Sequence, residues 1–341
     1  MAHMTNPLAT VDQLYRRTSS FSALPSDLQD AIFFATQTLT QAAGLLLRLP
    51  QSVTAQANVV LARYWLEEPL LADEFSDVSA ASLFLVSKLS GHPSRPRDVT
   101  NVYAYLLSPG SPLFRSPPSS SSPSHSSSTT TTPDPSTYYV SESDFDASLR
   151  RILRLEARIQ RALGFDTHVA LPHGLAVTYL QALDFCGSGN SDGSDGSRRA
   201  RVTRRVVAHL NTALLSPQML YLTHQPNALA VAAIYSAARD AGVGAKMPEC
   251  PWWEVFDVDR EELGFLVVGM RSLGGLVRKL RGDFKALAEG RMITRRDVEV
   301  EMARRGLKVR NGAGAGAGVD GLDEEEAMMR SLDARAEKIE A

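Results

Sequence analysis

ASLFLVSKL at residues 81–89 and AAIYSAARD at residues 232–240 can be laid one over the other, and in both small residues alternate with large apolar ones. Such a pattern suits a central helix that its neighbours approach closely, because the small side chains let other helices come near. Meeting it twice in one chain points to a duplicated helical domain.

Working outward from 81–89, apolar residues recur at helical spacing. They run through 31–49 (AIFFATQTLTQAAGLLLRL), 52–71, 76–89, 97–107 (RDVTNVYAYLL) and 144–165 (DFDASLRRILRLEARIQRALGF). Ser26 or Asp27 is placed to cap the first of these helices, and Pro50 to stop it. Around 232–240 the same reading gives helices at 172–183, 198–215, 225–242, 252–256 and 259–280. Alternating, strand-like segments are scarce, so the class is all-α, with two five-helix sets in succession.

Residues 108–143, dominated by Ser, Thr and Pro, bury too little apolar area to offset their ordering entropy and are expected to be disordered. The organisation expected is an N-terminal extension (1–25), a first domain (26–166) interrupted by that insertion, a second domain (167–282) and a C-terminal extension (283–341). The last contains the GAGAGAG linker at 312–318 and a short amphipathic helix at the end.

Composition narrows the function. Two cysteines, Cys186 and Cys250, make no disulfide framework, and no run approaches the roughly 20 apolar residues of a membrane span. An intracellular protein without membrane contact is expected. The net charge of −2 argues against nucleic acid as the main partner, since phosphate attraction needs a basic surface. RRARVTRR at 198–205 reads first as a solvated helix start. No nucleophile, ligand cluster or phosphate-cradling loop suggests catalysis, a metal or a cofactor.

Two charges are out of place. At about 100° per residue, Leu149, Ile152, Leu153, Ile159 and Leu163 form one apolar stripe, and Glu156 falls inside it. Val78, Ala81, Leu85 and Leu89 form another, with Lys88 at its edge beside Phe84. One reading pairs Lys88 with Glu156 or with water. The other has them flank an apolar docking surface, the lysine donating to a partner's carbonyls and the glutamate accepting from its amides.

The five-plus-five helix order, with Lys88 in LVSKL and Glu156 in LRLEARIQRALGF, resembles the tandem cyclin-box fold and the lysine and glutamate by which cyclins grip their kinase. QAAGLLLRLP (41–50), SRPRDVTNV (94–102), GFDTHVALPHGLAVTYLQAL (164–183) and IYSAARDAGV (234–243) are similar to L-type cyclins, of the transcription and splicing group. The resemblance implies a nuclear regulatory subunit that forms a heterodimer with a cyclin-dependent kinase, binds it through Lys88, Leu89, Glu156 and Phe165, and has splicing or transcription factors as further partners. Leu89, Ser90 and Gly91 stand where related cyclins often carry acidic residues, and these 341 residues hold no arginine and serine rich stretch like the tail expected of a full-length L-type cyclin. His168 and His173 are then structural, Arg97 and Asp98 a helix-start pair, and Trp252 and Trp253 the edge of a core.

Overall fold

A computed structural model describes residues 5–17, 24–108, 111, 113, 138–183, 193–242 and 250–307, the side chains of 193–199 excepted. Among these residues every regular element is helical. The first five-helix set is α2 (Ser26–Leu46), α3 (Gln51–Glu67), α4 (Phe75–Leu89), α5 (Pro96–Leu107) and α6 (Glu142–Ala162). The second is α7 (Pro172–Ala182), α8 (Gly193–Leu214), α10 (Pro226–Asp240), a 3-10 turn (Trp252–Phe256) and α11 (Arg260–Asp283). Four further helices go beyond the two sets: α1 (Val11–Arg16), α9 (Leu220–Thr223), α12 (Lys285–Ala288) and α13 (Arg295–Arg304). The tandem all-α arrangement expected from the sequence is the one observed. The linker at 312–318, the expected terminal helix and most of the 108–143 insertion lie outside the described residues.

The two quoted stretches are the centres of their sets. α4 is buried on every side from Phe75 to Ser87, against α2, α3 and α6. α10 is packed by α7, α8 and α11, with Ala228, Ala230, Ala232, Ala233, Ala237 and Ala238 all buried. Small side chains let these neighbours come close, and alanine also carries the best helix propensity. Three hydroxyls between helices satisfy one another: Thr40, Ser79 and Tyr103 form a buried chain with both O···O distances 2.6 Å, joining α2, α4 and α5. Burial pushes the Tyr103 phenol well above its usual range.

Local signals set the ends. Pro96, Pro172 and Pro226 open α5, α7 and α10, where the missing N–H is no loss. Ser141 and Asp259 cap α6 and α11 through the amides of Asp144 and Glu262. Two expected ends are corrected. Pro25 is the residue before α2 and makes no side-chain cap, so Ser26 and Asp27 are already helical. The same helix stops at Leu46, ahead of Pro50. Arg48 takes the left-handed conformation at φ 55°, and the Leu49 and Arg48 amides donate to the carbonyls of Gly44 and Leu45. Gly44 itself is where α2 meets α3, since a Cβ there would come 2.7 Å from Thr54 Cγ2.

His173 has the structural role expected of it. Its Nε2 lies 3.0 Å from Asn211 Oδ1, which also accepts from Gln51 Nε2, so the contact ties α7 and α8 to α3 of the first set. Burial lowers the pKa of His173 and of His224, which stacks on Phe265. A folded pKa below the unfolded value of about 6.5 means that the unfolded chain binds more protons as pH falls. Stability from these groups is therefore full above about pH 6.5 and declines below it. The melting temperature should drop between about pH 7.5 and about pH 5.5, and His173→Gln with His224→Gln should flatten that drop. An unchanged slope in the double variant would assign the acid sensitivity elsewhere.

Candidate partner-docking site

Lys88 is the last-turn cation of α4, where a positive charge suits the helix dipole. Glu156 sits on α6 among buried Ile152, Leu155 and Ile159, just as its place in the stripe implied. The two elements bring Lys88 and Glu156 into a direct ion pair. Lys88 is also held 4.5 Å above the Phe84 ring, so its charge has a carboxylate on one side and a π face on the other. The glutamate side chain is 11% exposed and the lysine 38%, so the carboxylate is largely buried and the ammonium reaches the protein surface.

Other ion pairs fix α6 in this position. Arg158 binds Glu68 and Asp73 of the α3–α4 connection, and Arg151 binds Asp77 of α4. Arg97 reaches Glu142 at 2.9 Å and the Val140 carbonyl, and packs over Phe145, so it holds the start of α6. Arg97 and Asp98 do stand at a helix start, but the partner of Arg97 is Glu142.

Exposed apolar side chains stand on the same two helices and just beyond them. Leu89 is 59% exposed, a correction to its place in a buried stripe: α4 buries all its faces and ends there, leaving the final leucine outside. Leu153 is likewise exposed, because the core-facing positions of α6 are Ile152, Leu155, Glu156 and Ile159. Phe165 is 70% exposed and takes φ 63° directly after Gly164 at φ 58°. A bulky residue in the left-handed region is strained, by about 1–3 kcal/mol, and here no burial offsets the strain.

The second set repeats this corner with altered charges. Arg239 lies 5.9 Å over the Tyr235 ring, matching Lys88 over Phe84 in the overlaid stretches. Asp240, which takes the place of Leu89, is bound by Arg271 of α11 at 3.1 Å and by His209 at 3.0 Å. An apolar rim in the first set thus becomes a closed polar cluster in the second. Trp252 is buried, edge-on to Trp253 and Phe256, which fits a core edge.

The mouse protein Cyclin-L2 is 28% identical to this chain over 76% of its length and 43% of the mouse protein. "Cyclin L homolog cyl-1" of Caenorhabditis elegans is 27% identical over 78% of this chain and 50% of the worm protein. The chain is similar to the L-type cyclins. It spans about half the length of these curated relatives, and no family model matches it. A chain in the crystal structure of the yeast RNA Pol II CTD kinase CTDK-1 complex has the same fold, with a TM-score of 0.54 and 12% identity over 88% of this chain and 84% of that one.

Sequence reasoning missed one set of interactions that holds the halves together. Asn6, assigned to an extension outside the domains, is buried and bonded to Ala170, Gln225 and Arg63. No local pattern marks it, since its partners at Ala170 and Gln225 are 164 and 219 residues away.

Proposed function

We propose that this chain is the regulatory subunit of a cyclin-dependent kinase acting in transcription and pre-mRNA splicing, located in the nucleus, with no catalytic site of its own. Lys88, Leu89, Glu156 and Phe165 are the kinase-binding residues. The observation that carries the reading is the Lys88–Glu156 ion pair with its ammonium open to solvent, together with exposed Leu89 next in sequence to Lys88 and a strained, exposed Phe165 just after α6. Similarity to proteins named Cyclin-L supports it.

The chemistry follows from the groups. On docking, the Lys88 ammonium donates to exposed carbonyls at the end of a kinase helix, and the Glu156 carboxylate accepts from backbone amides beside it. Leu89 and Phe165 bury against apolar residues of that helix and supply most of the contact energy. A protein kinase is active only when its C-helix glutamate pairs with its phosphate-binding lysine, and a partner that binds that arrangement selects it. Moving a kinase from about 1% to about 99% active needs roughly 5.5 kcal/mol of differential affinity, which a standard-size interface supplies.

The test is recovery of partners on the immobilised chain from nuclear extract, with the Lys88→Ala/Glu156→Ala variant as control. The expected result is a cyclin-dependent kinase, named by mass spectrometry, that is held by the parent, lost from the variant, and stimulated when the purified components are mixed. Recovery of transcription or splicing factors without a kinase would replace this reading with that of a non-kinase scaffold.

A further inference from the structure

The α2–α3 turn and the stretch that leads from α4 into α5 line an open cleft of ≈ 330 Å³. Arg48, His92 and Arg95 face it, against one carboxylate, Asp98. Among the described residues, none of the three basic side chains has an ion-pair or hydrogen-bond partner, whereas Arg97, Arg151 and Arg158 of the same helical set are all paired with carboxylates. Arg48 occupies the left-handed position of the turn, where glycine would sit without strain and would bring no charge. α5 opens at the same cleft without a side-chain cap, so the positive end of its dipole adds to the field.

We propose that this cleft binds the phosphoryl group of a phosphoserine or phosphothreonine in a partner protein. Two guanidinium forks and an imidazole match a tetrahedral dianion, and arginine clusters are the usual receptors for phosphorylated peptides. One bounded cleft in a chain of net charge −2 takes one phosphorylated side chain. A nucleic acid needs a run of cations along which several phosphates are neutralised. The lining shares no residue with the kinase-docking set, and its test requires no kinase.

The probe is a fluorescent peptide pool with one fixed phosphoserine and randomised flanks, titrated with the full chain and followed by anisotropy. Its unphosphorylated twin and a single-stranded RNA oligonucleotide run beside it. The phosphorylated pool should bind saturably and the twin should not. Arg48→Gln with Arg95→Gln should weaken binding by about tenfold or more, as expected for the loss of charge-assisted hydrogen bonds. Both side chains are exposed and without partners among the described residues, so the double variant should melt like the parent, which separates lost binding from lost folding. Equal binding of the twin, or parent-like binding by the double variant, would overturn the proposal. RNA bound more tightly than the phosphorylated pool, and released by the same substitutions, would overturn it in favour of a nucleic-acid site.

Discussion

Replacing Lys88 and Glu156 together with alanine should leave the chain folded and reduce kinase stimulation to the level of the kinase alone. In the free chain the Lys88 ammonium reaches solvent while the Glu156 carboxylate is largely buried, so removing one partner alone strands a charge, whereas removing both at once orphans neither and costs little. In the complex proposed above, each group would make charged hydrogen bonds to the partner's backbone, worth about 1.5–3 kcal/mol apiece. Loss of both weakens binding by roughly a thousandfold. The single variants should differ in stability. Lys88→Ala strands the mostly buried Glu156 carboxylate, whereas Glu156→Ala leaves Lys88 half exposed over Phe84. The exchanged variant, Lys88→Glu with Glu156→Lys, is the sharpest control. It can rebuild the internal pair, so a purely structural role predicts full stimulation. A docking role predicts none, because donor and acceptor now face the wrong groups of the kinase. Stimulation at the parent level by the folded alanine double variant, measured beside a thermal melt, would sink the site assignment.

The comparison between the two sets explains why docking is assigned to the first. Both present a cation over an aromatic ring at the end of the central helix, in the matched pairs Lys88–Phe84 and Arg239–Tyr235. The next residue decides the outcome. Leu89 is an exposed apolar rim, whereas Asp240 draws Arg271 and His209 into a cluster that already satisfies its own charges. Lys88 and Glu156 are paired with each other as well, so what sets the first corner apart is the exposed leucine, which can bury against a partner where a paired aspartate cannot.

Much of this was legible in the sequence, because periodicity and composition act locally. The small-and-large pattern of 81–89 and 232–240 is a property of one helix and its close neighbours, and it located both centres. A charged residue inside an apolar stripe is equally local, and it located Glu156. What escaped depends on endings and on distant partners. The stop of α2 is made by backbone bonds around Arg48, a residue with no turn propensity, and the strain at Phe165 follows only once Gly164 has turned the chain. Leu89 and Leu153 were misassigned because a helical wheel says which residues share a face, but not where the neighbouring helices end.

Asn6→Leu should destabilise the chain by about 3 kcal/mol or more, with no change in the docking corner. Asn6 is a hub. Its Nδ2 donates to the Ala170 carbonyl at 2.8 Å, its Oδ1 accepts from the Ala170 amide at 2.7 Å and from Arg63 Nη2 at 3.4 Å, and its backbone exchanges two 3.0 Å bonds with the Gln225 side chain. Arg63, on α3, also donates to the His168 carbonyl at 2.7 Å, and the Ala9 amide to Leu222 at 2.7 Å. The N-terminal strand of chain thereby joins α3, the connection between the sets, and the start of α10. Leucine keeps the volume and removes the polar atoms, so both part-buried backbone groups of Ala170 and one buried arm of Arg63 lose a partner. Each such orphan costs about 1–3 kcal/mol. Burial already lowers the pKa of Arg63, a sign that its guanidinium is held away from water and relies on these acceptors. In urea, the midpoint should fall with little change in slope, and removal of residues 1–9 should lower it further, since the Gln225 and Leu222 bonds then go as well. A shift within about 0.5 kcal/mol for Asn6→Leu would mean that the two sets hold together without the clasp.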